Sequence, residues 1–243
     1  MARSGSRDDL VTAYAKLVAE GSVTANRLVR RACERHLDDL ASGAGRGLRF
    51  DLAAARHAID FFGFLRHSKG EWAGETFTLA AWQAFVVGSL FGWQRDDGLR
   101  RFRTAYCAVP RKNGKSTTSA GIGLYLLVAD GEQGAEVYSA ATTRDQARIV
   151  FDEAKRMVAT SPALRRRVEP LINNLHVAAS ASRFMPLSSD SSTMDGLNVH
   201  GAIIDELHAH KTRGVVDVLD TATGARRQPL LFEIGRASCR ERV

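Results

Sequence analysis

The chain has 243 residues, with 34 lysines and arginines against 27 acidic residues, a formal charge of +7. Its hydrophobic fraction of 44% and charged fraction of 25% are ordinary globular values, which exclude wholesale disorder. No run approaches the roughly 18 consecutive apolar residues of a membrane span, and the polar start lacks the apolar stretch of a signal peptide. Three scattered cysteines are too few for a disulfide framework. We therefore expect a soluble cytoplasmic protein, and the basic excess alone does not decide whether it meets a polyanion.

The first part of the chain is predicted to be helical. Capping residues precede apolar positions at helical spacing in segments 10–20, 25–40 and 52–66. Residues 41–47 are rich in glycine and are predicted to form a loop. Thr78 is a candidate cap for a fourth, apolar helix over residues 79–91.

From residue 103 onward, short strands alternate with helices. The predicted strands cover residues 104–109, 136–140, 175–178, 183–187, 201–205 and 230–234. The third and fourth of these strands are close enough in sequence to form a hairpin. The predicted helices cover residues 115–128, 143–160 and 215–223. This alternation predicts an α/β fold with a mainly parallel sheet, helices on both faces, and ligands at the carboxyl ends of the strands.

A candidate phosphate-binding loop lies between the first of these strands and the helix that follows it. Gly114, Lys115 and Ser116 match the end of the pattern G-x-x-x-x-G-K-[ST], in which backbone N–H groups and the lysine hold phosphates and the hydroxyl ligates Mg²⁺. Val109 occupies the position of the first glycine, so the full pattern is not met. On the tripeptide alone, a glycine turn that opens a helix explains the residues equally well.

A second signal lies at the end of a later apolar strand. Asp205 and Glu206 follow directly after Ala202-Ile203-Ile204. Two adjacent carboxylates suit a nucleotide site, where the first completes the Mg²⁺ shell and the second polarises the attacking water. A solvent-exposed strand end is the alternative, but the two signals occur in the right order and on the right elements, which favours a nucleotide site.

These motifs resemble those of the large terminase subunit of tailed bacteriophages, the motor that packages DNA into procapsids. The resemblance rests on residues 109–117 and 201–210. In that family the phosphate loop commonly lacks the first glycine and carries an arginine at the position of Arg111, as the first of these segments does. Four further segments fit the family: residues 77–83, 139–147, 195–198 and 223–230.

The resemblance implies a P-loop NTPase fold of the ASCE/RecA-like type and a division of the chain. Residues 1–70 would form a helical N-terminal region and residues 71–234 the ATPase domain. The family continues with a coupling motif and a nuclease domain, which we expect to be absent from this chain. Residues 235–243 resemble the translation of a sequencing-adapter oligonucleotide and are expected to be a non-native tail, with a divergent natural tail as the alternative. A sheet that stops at Ile234 is expected to expose an edge.

The resemblance also implies a set of functional residues for ATP and Mg²⁺. Lys115 would bind the phosphates together with Gly114, and Ser116 and Asp205 would hold Mg²⁺. Glu206 would be the catalytic carboxylate. The remaining implied nucleotide contacts are Arg111 at the γ-phosphate, Gln83 at the adenine edge, Trp82 near the base, and Thr117.

Plainer interpretations stand beside several of these assignments. Trp82 also suits a core position, and Thr117 suits an ordinary place in the helix. Gln146 and Ala147 are interpreted as helix packing. Arg226 or Arg227 is a candidate to reach a neighbouring subunit's nucleotide, although a solvated pair of arginines is the simpler interpretation.

The implied partners are double-stranded DNA, the portal protein and the small terminase subunit, in a homo-oligomeric ring in the host cytoplasm, without a membrane. Two alternatives remain open at this point. Residues 205–208 match the box of DExH-type helicases, which would require a second motor domain. The other alternative is a catalytically silent module that binds DNA or the portal.

Overall fold

The computed structural model describes residues 9–110, 112–187, 196–209 and 213–235. The chain divides into two compact units. The first contains the residues up to Phe62 and Thr78–Phe102, and the second contains Gly63–Phe77 and the residues from Arg103 onward. The predicted division at residue 70 separates two continuous segments, whereas each of these units combines two separate segments of the chain.

The first unit consists of four helices and a short antiparallel pair of strands. The helices are α1 (Leu10–Ala19), α2 (Arg27–Ser42), α3 (Leu52–Phe61) and α4 (Ala81–Gly92). The strands are β1 (Leu48–Phe50) and β2 (Trp93–Arg95). The side chains of Asp9 and Asp51 accept hydrogen bonds from backbone N–H groups at the starts of α1 and α3, which confirms the capping argument for these two helices. The cap of α2 is Asn26, so the predicted start of this helix at residue 25 was two residues too early.

The structure differs from the sequence prediction at several places in this unit. Helix α2 runs to Ser42 and continues as a 3₁₀ turn over Gly43–Arg46, so the predicted loop was wrong. Helix α3 ends at Phe61 and passes into a 3₁₀ turn over Phe62–Phe64. The strands β1 and β2 were missed, because three residues are too few to show a pattern of alternation.

A buried histidine lies in the core of the first unit. His36 is 2% exposed, and its Nε2 lies 2.9 Å from the Thr12 hydroxyl. The indole N–H of Trp93 donates to His36 Nδ1 at 3.0 Å. Because Nδ1 accepts, the ring is neutral and donates from Nε2 to Thr12. Burial lowers the pKa of His36 to about 4.

The second unit is built on a seven-stranded sheet. Its strands are β3 (Thr104–Ala108), β4 (Glu136–Ala140), β5 (Glu169–Pro170), β6 (Leu175–Val177), β7 (Ser182–Pro186), β8 (Val199–Asp205) and β9 (Leu230–Gly235). Their spatial order is β3-β9-β8-β4-β7-β6-β5. The pairs from β3 to β7 are parallel, and the predicted hairpin of β6 with β7 is antiparallel. The two-residue strand β5 was not predicted.

Helices cover both faces of this sheet, as predicted. They are α5 (Lys115–Val128), α6 (Arg144–Thr160), α7 (Pro162–Arg165) and α8 (Gly214–Thr221). On one face, the ring of Phe184 contacts Phe151 of α6, and a Cβ placed at Gly123 of α5 would lie 2.9 Å from the same ring. On the other face, Val216 and Leu219 of α8 pack in a buried cluster. Strand β8 lies between these layers, and all seven of its residues are buried.

Strand β9 does not form an edge. It lies between β3 and β8, with Ala108 paired to Gly235 and Asp205 paired to Ile234. The expectation of an exposed edge at Ile234 was therefore wrong, because strand order in a crossover fold does not follow chain order. Among the described strands of this sheet, β3 and β5 form the edges.

No helix in the described part of the chain is long and apolar enough to cross a membrane.

Candidate nucleotide site

The loop between β3 and α5 is shaped for anion binding. Lys112 and Gly114 adopt left-handed backbone conformations, with φ of 65° and 72°, which curl the loop in front of the helix. Helix α5 starts at Lys115, as predicted, and its first backbone bond runs from Thr118 N–H to Gly114 O at 2.9 Å. The earlier N–H groups of the helix point out of its N-terminus, where the helix dipole attracts negative charge.

The two predicted carboxylates lie at the carboxyl end of β8. The register of β3, β9 and β8 places Ala108, Gly235 and Asp205 together, at the carboxyl ends of three neighbouring parallel strands. Glu206 has a φ of 52°, which is uncommon for a residue with a side chain, and its N–H donates to Asp205 Oδ1 at 2.7 Å. A left-handed glutamate is a strained conformation of the kind that occurs at functional sites.

The lysine of the loop reaches both carboxylates. Lys115 Nζ lies 2.8 Å from Asp205 Oδ1 and 2.5 Å from Glu206 Oε1. The three side chains are 16%, 7% and 13% exposed, respectively. The two signals that the sequence places 91 residues apart thus form one charged cluster.

This cluster lies in a cleft of about 400 Å³. Six of the residues predicted for the site line it: Gly114, Lys115, Ser116, Thr117, Asp205 and Glu206. The other lining residues are Val109, Pro110, Lys112, Gln146 and Ile149. The cleft combines a helix N-terminus, a lysine, hydroxyls and paired carboxylates, which is the chemistry required to hold a nucleoside phosphate with a divalent cation.

A family model described as the terminase large subunit ATPase domain matches residues 81–241. The chain belongs to this family. The family match supports the ATPase domain of a terminase large subunit rather than the helicase-like or catalytically silent alternatives.

The large terminase of phage HK97 agrees with the family match in sequence and in structure. The chain is 35% identical over 137 residues to the large terminase subunit of Enterobacteria phage HK97. The aligned segment covers 54% of this chain and 27% of that protein. The crystal structure of the HK97 large terminase matches with a TM-score of 0.64 and 28% identity, covering 74% of this chain and 37% of that one. The ATPase domain of the Thermus phage P74-26 large terminase matches with a TM-score of 0.46 and 20% identity, covering 55% of this chain and 59% of that one. The chain thus spans well under half the length of the HK97 protein.

Two of the residues predicted for the terminase site, Trp82 and Gln83, are not among the described residues that line the cleft. A third, Arg111, lies outside the described residues. Trp82 and Gln83 belong to the first unit, where Trp82 is partly buried against the cluster around Val11 and Phe85. Gln83 is 6% exposed, and its Oε1 accepts a hydrogen bond from Ala80 N–H at 2.8 Å. Ala80, rather than Thr78, therefore precedes helix α4, and the adenine contacts remain predictions.

Donors suited to Mg²⁺ are present in the cleft. Ser116 supplies a hydroxyl and Asp205 a carboxylate, which are hard oxygen ligands of the kind that Mg²⁺ prefers. The Lys115 ammonium shows that a cationic group fits between Asp205 and Glu206. The residues present thus fit a magnesium ion bound by Ser116 and Asp205.

The interpretation of Gln146 and Ala147 as helix packing is right for Ala147 and incomplete for Gln146. Ala147 is fully buried as expected, whereas Gln146 lines the cleft together with Ile149, one turn further along α6. Residues 146 and 149 are three positions apart and therefore lie on one face of α6. This spacing could have indicated that both face the cleft, once α6 was known to begin beside the carboxyl end of β4.

The interpretation of Arg226 as part of a solvated pair was wrong. Its side chain is 9% exposed and forms an ion pair with Glu132 at 2.9 Å. It also donates to the backbone carbonyls of Gln133, Gly134 and Asn198 at 3.0, 2.5 and 3.3 Å. An arginine with four acceptors is a structural anchor for these loops, whereas Arg227 is exposed.

Proposed function

We propose that this chain binds ATP with Mg²⁺ and hydrolyses it, as the motor domain of a DNA-packaging terminase. The observation that carries the proposal is the contact of Lys115 with both Asp205 and Glu206 inside a cleft at the N-terminus of α5. This arrangement brings together the parts that phosphoryl transfer requires, which are a phosphate-binding lysine, a hydroxyl and carboxylate pair, and a second carboxylate for the attacking water.

Each residue has a distinct task in this proposal. The N–H groups from Gly114 to Thr117 and the Lys115 ammonium bind the phosphates, and Ser116 and Asp205 hold the metal ion. When bound, Mg²⁺ neutralises charge on the phosphate oxygens. Glu206 accepts a hydrogen bond from the attacking water and orients it.

The apo contacts imply an exchange of partners at Lys115. Its ammonium contacts both Asp205 and Glu206 in the apo structure. As the triphosphate binds, the ammonium turns toward the phosphates, and Glu206 becomes available to the water. Binding of substrate and release of the catalytic carboxylate are therefore parts of the same event.

Substitution of Glu206 by glutamine tests the proposal. We expect Mg²⁺-dependent ATP hydrolysis by the unmodified chain and a fall in kcat of about 100-fold or more in Glu206→Gln, because the amide cannot act as a base. Binding of ATP is expected to persist in this variant. Glu169→Gln, which changes an exposed glutamate of β5, serves as the matched control and is expected to leave kcat unchanged. Equal turnover in the two variants would show that Glu206 is not the catalytic carboxylate.

The wider function rests on family membership. We propose that the hydrolysis drives double-stranded DNA into a procapsid in the host cytoplasm, with the portal protein and the small terminase subunit as partners and a homo-oligomeric ring as the assembly. At the nucleotide, Arg111 is proposed to contact the γ-phosphate, and Gln83 and Trp82 the adenine. The HK97 relatives, which are large terminases, support this extension.

A further inference from the structure

Gln146 lies on the part of the cleft wall that α6 contributes. It is in the first turn of the helix and lines the same cleft as Lys115, Ser116 and Glu206. Helix α6 follows β4, and β4 pairs with β8 on the side away from β9 and β3. Gln146 therefore enters the cleft from the end of β4, next to the strand that carries Asp205 and Glu206.

The side chain of Gln146 is held in one orientation. The Thr142 hydroxyl donates to Gln146 Oε1, and the backbone N–H of Gln146 donates to Thr143 Oγ1 at 3.2 Å. With its carbonyl oxygen occupied, the side chain has its amide N–H donors left to offer. Among the residues that the structure describes, no acceptor is hydrogen-bonded to that amide nitrogen.

A neutral donor has a specific use at this place. Phosphate oxygens only accept hydrogen bonds, and the neighbouring Glu206 carboxylate would repel them. An amide donor beside the carboxylate attracts a phosphate oxygen without neutralising the charge that Glu206 needs in order to act on water. A lysine or arginine at this position would instead pair with Glu206.

We propose that the amide of Gln146 donates a hydrogen bond to the γ-phosphoryl group of the bound triphosphate, with Thr142 as the residue that positions it. This inference rests on the proposed ATPase function and adds a residue that distinguishes triphosphate from diphosphate. Gln146 contacts the substrate in this arrangement, and Thr142 acts through Gln146.

The test compares two nucleotides in Gln146→Glu, a nearly isosteric change that keeps the acceptor for Thr142 and replaces the donor by a carboxylate. Dissociation constants for ATPγS and ADP are measured with Mg²⁺ by isothermal titration calorimetry. We expect affinity for ATPγS to fall by about tenfold or more, as for a lost hydrogen bond to a charged group, and affinity for ADP to change by less than about twofold. Gln133→Glu, at an exposed glutamine, is the control and is expected to change neither constant.

A second pair of variants tests the positioning role. Thr142→Val removes the hydroxyl that holds Gln146 and is expected to weaken ATPγS selectively, by less than Gln146→Glu does, whereas Thr142→Ser is expected to restore the affinity of the unmodified chain. Equal losses for ATPγS and ADP, or no loss for either, would overturn the inference about Gln146 and leave the ATPase proposal standing. If the unmodified chain binds neither nucleotide, both proposals are wrong.

Discussion

Replacement of Lys115 by methionine removes an ammonium group that contacts both Asp205 and Glu206. Methionine is similar in length and carries no charge, so the two carboxylates lose the ammonium that contacts both of them. They are 7% and 13% exposed, and both line the cleft. We therefore expect the variant to be less stable than the unmodified chain even in the absence of nucleotide.

The distances set the size of this effect. At 2.8 and 2.5 Å, the two attractions amount to about 6 and about 7 kcal/mol before desolvation, for an effective dielectric constant of about 20. Desolvation of the three groups offsets most of that gain, and removal of one partner from a buried ion pair costs about 3–5 kcal/mol. Because the cleft opens to water, we expect the lower end of this range for Lys115→Met, about 3 kcal/mol.

The assay is urea unfolding at pH 7 without nucleotide, followed by circular dichroism. Lys112→Met, at an exposed lysine of the same loop, is the control and is expected to change the free energy of unfolding by less than about 0.5 kcal/mol. In the double variant Lys115→Met/Glu206→Gln the repulsion between carboxylates is gone, and we expect recovery of about 1–2 kcal/mol relative to Lys115→Met. A loss below about 1 kcal/mol in Lys115→Met, or a double variant less stable than the single one, would refute the reasoning.

Two further predictions concern buried polar groups away from the cleft. Arg226→Ala removes the donor to Glu132 and to three backbone carbonyls, and we expect it to lower the free energy of unfolding in urea by about 2–4 kcal/mol. The control Arg227→Ala is expected to change the same quantity by less than about 0.5 kcal/mol. Equal losses in the two variants would contradict the anchoring role of Arg226. His36 has a folded pKa of about 4, below its ordinary value of about 6.5, so the unfolded chain binds the proton first as the pH falls and stability decreases from about pH 6.5 toward pH 4. Thermal unfolding of the unmodified chain and of His36→Gln across this range checks the prediction, and identical pH profiles would contradict it.

Sequence patterns predicted the parts of this site that depend on local chemistry. The start of α5 at Lys115 follows from a glycine before a helical pattern, and the buried strand β8 follows from an unbroken apolar run before Asp205. The two motifs meet because the carboxyl ends of parallel strands lie at the same end of the sheet.

Other features depend on strand order and could not be predicted from local patterns. The placement of β9 between β3 and β8, which removes the expected edge at Ile234, is set by the crossovers and by packing. The role of Gln146 depends on β4 lying beside β8, and the burial of Arg226 depends on loops that lie more than 90 residues earlier in the chain. Side chains of this kind look like surface residues until the tertiary contacts are known.

The charges in the cleft explain why the same lysine appears in two proposed roles. Among the described residues that line the cleft, the charges of Lys112 and Lys115 equal those of Asp205 and Glu206, so these four residues carry no surplus positive charge for a triphosphate. If Lys115 turns to the phosphates, its ammonium leaves Asp205 and Glu206, and the nucleotide adds further negative charge to the cleft. A divalent cation at Ser116 and Asp205 compensates for both changes at once. Affinity for ATP is therefore expected to depend strongly on Mg²⁺, and a neutral donor such as Gln146 suits the remaining phosphate oxygens better than a further cation that Glu206 would capture.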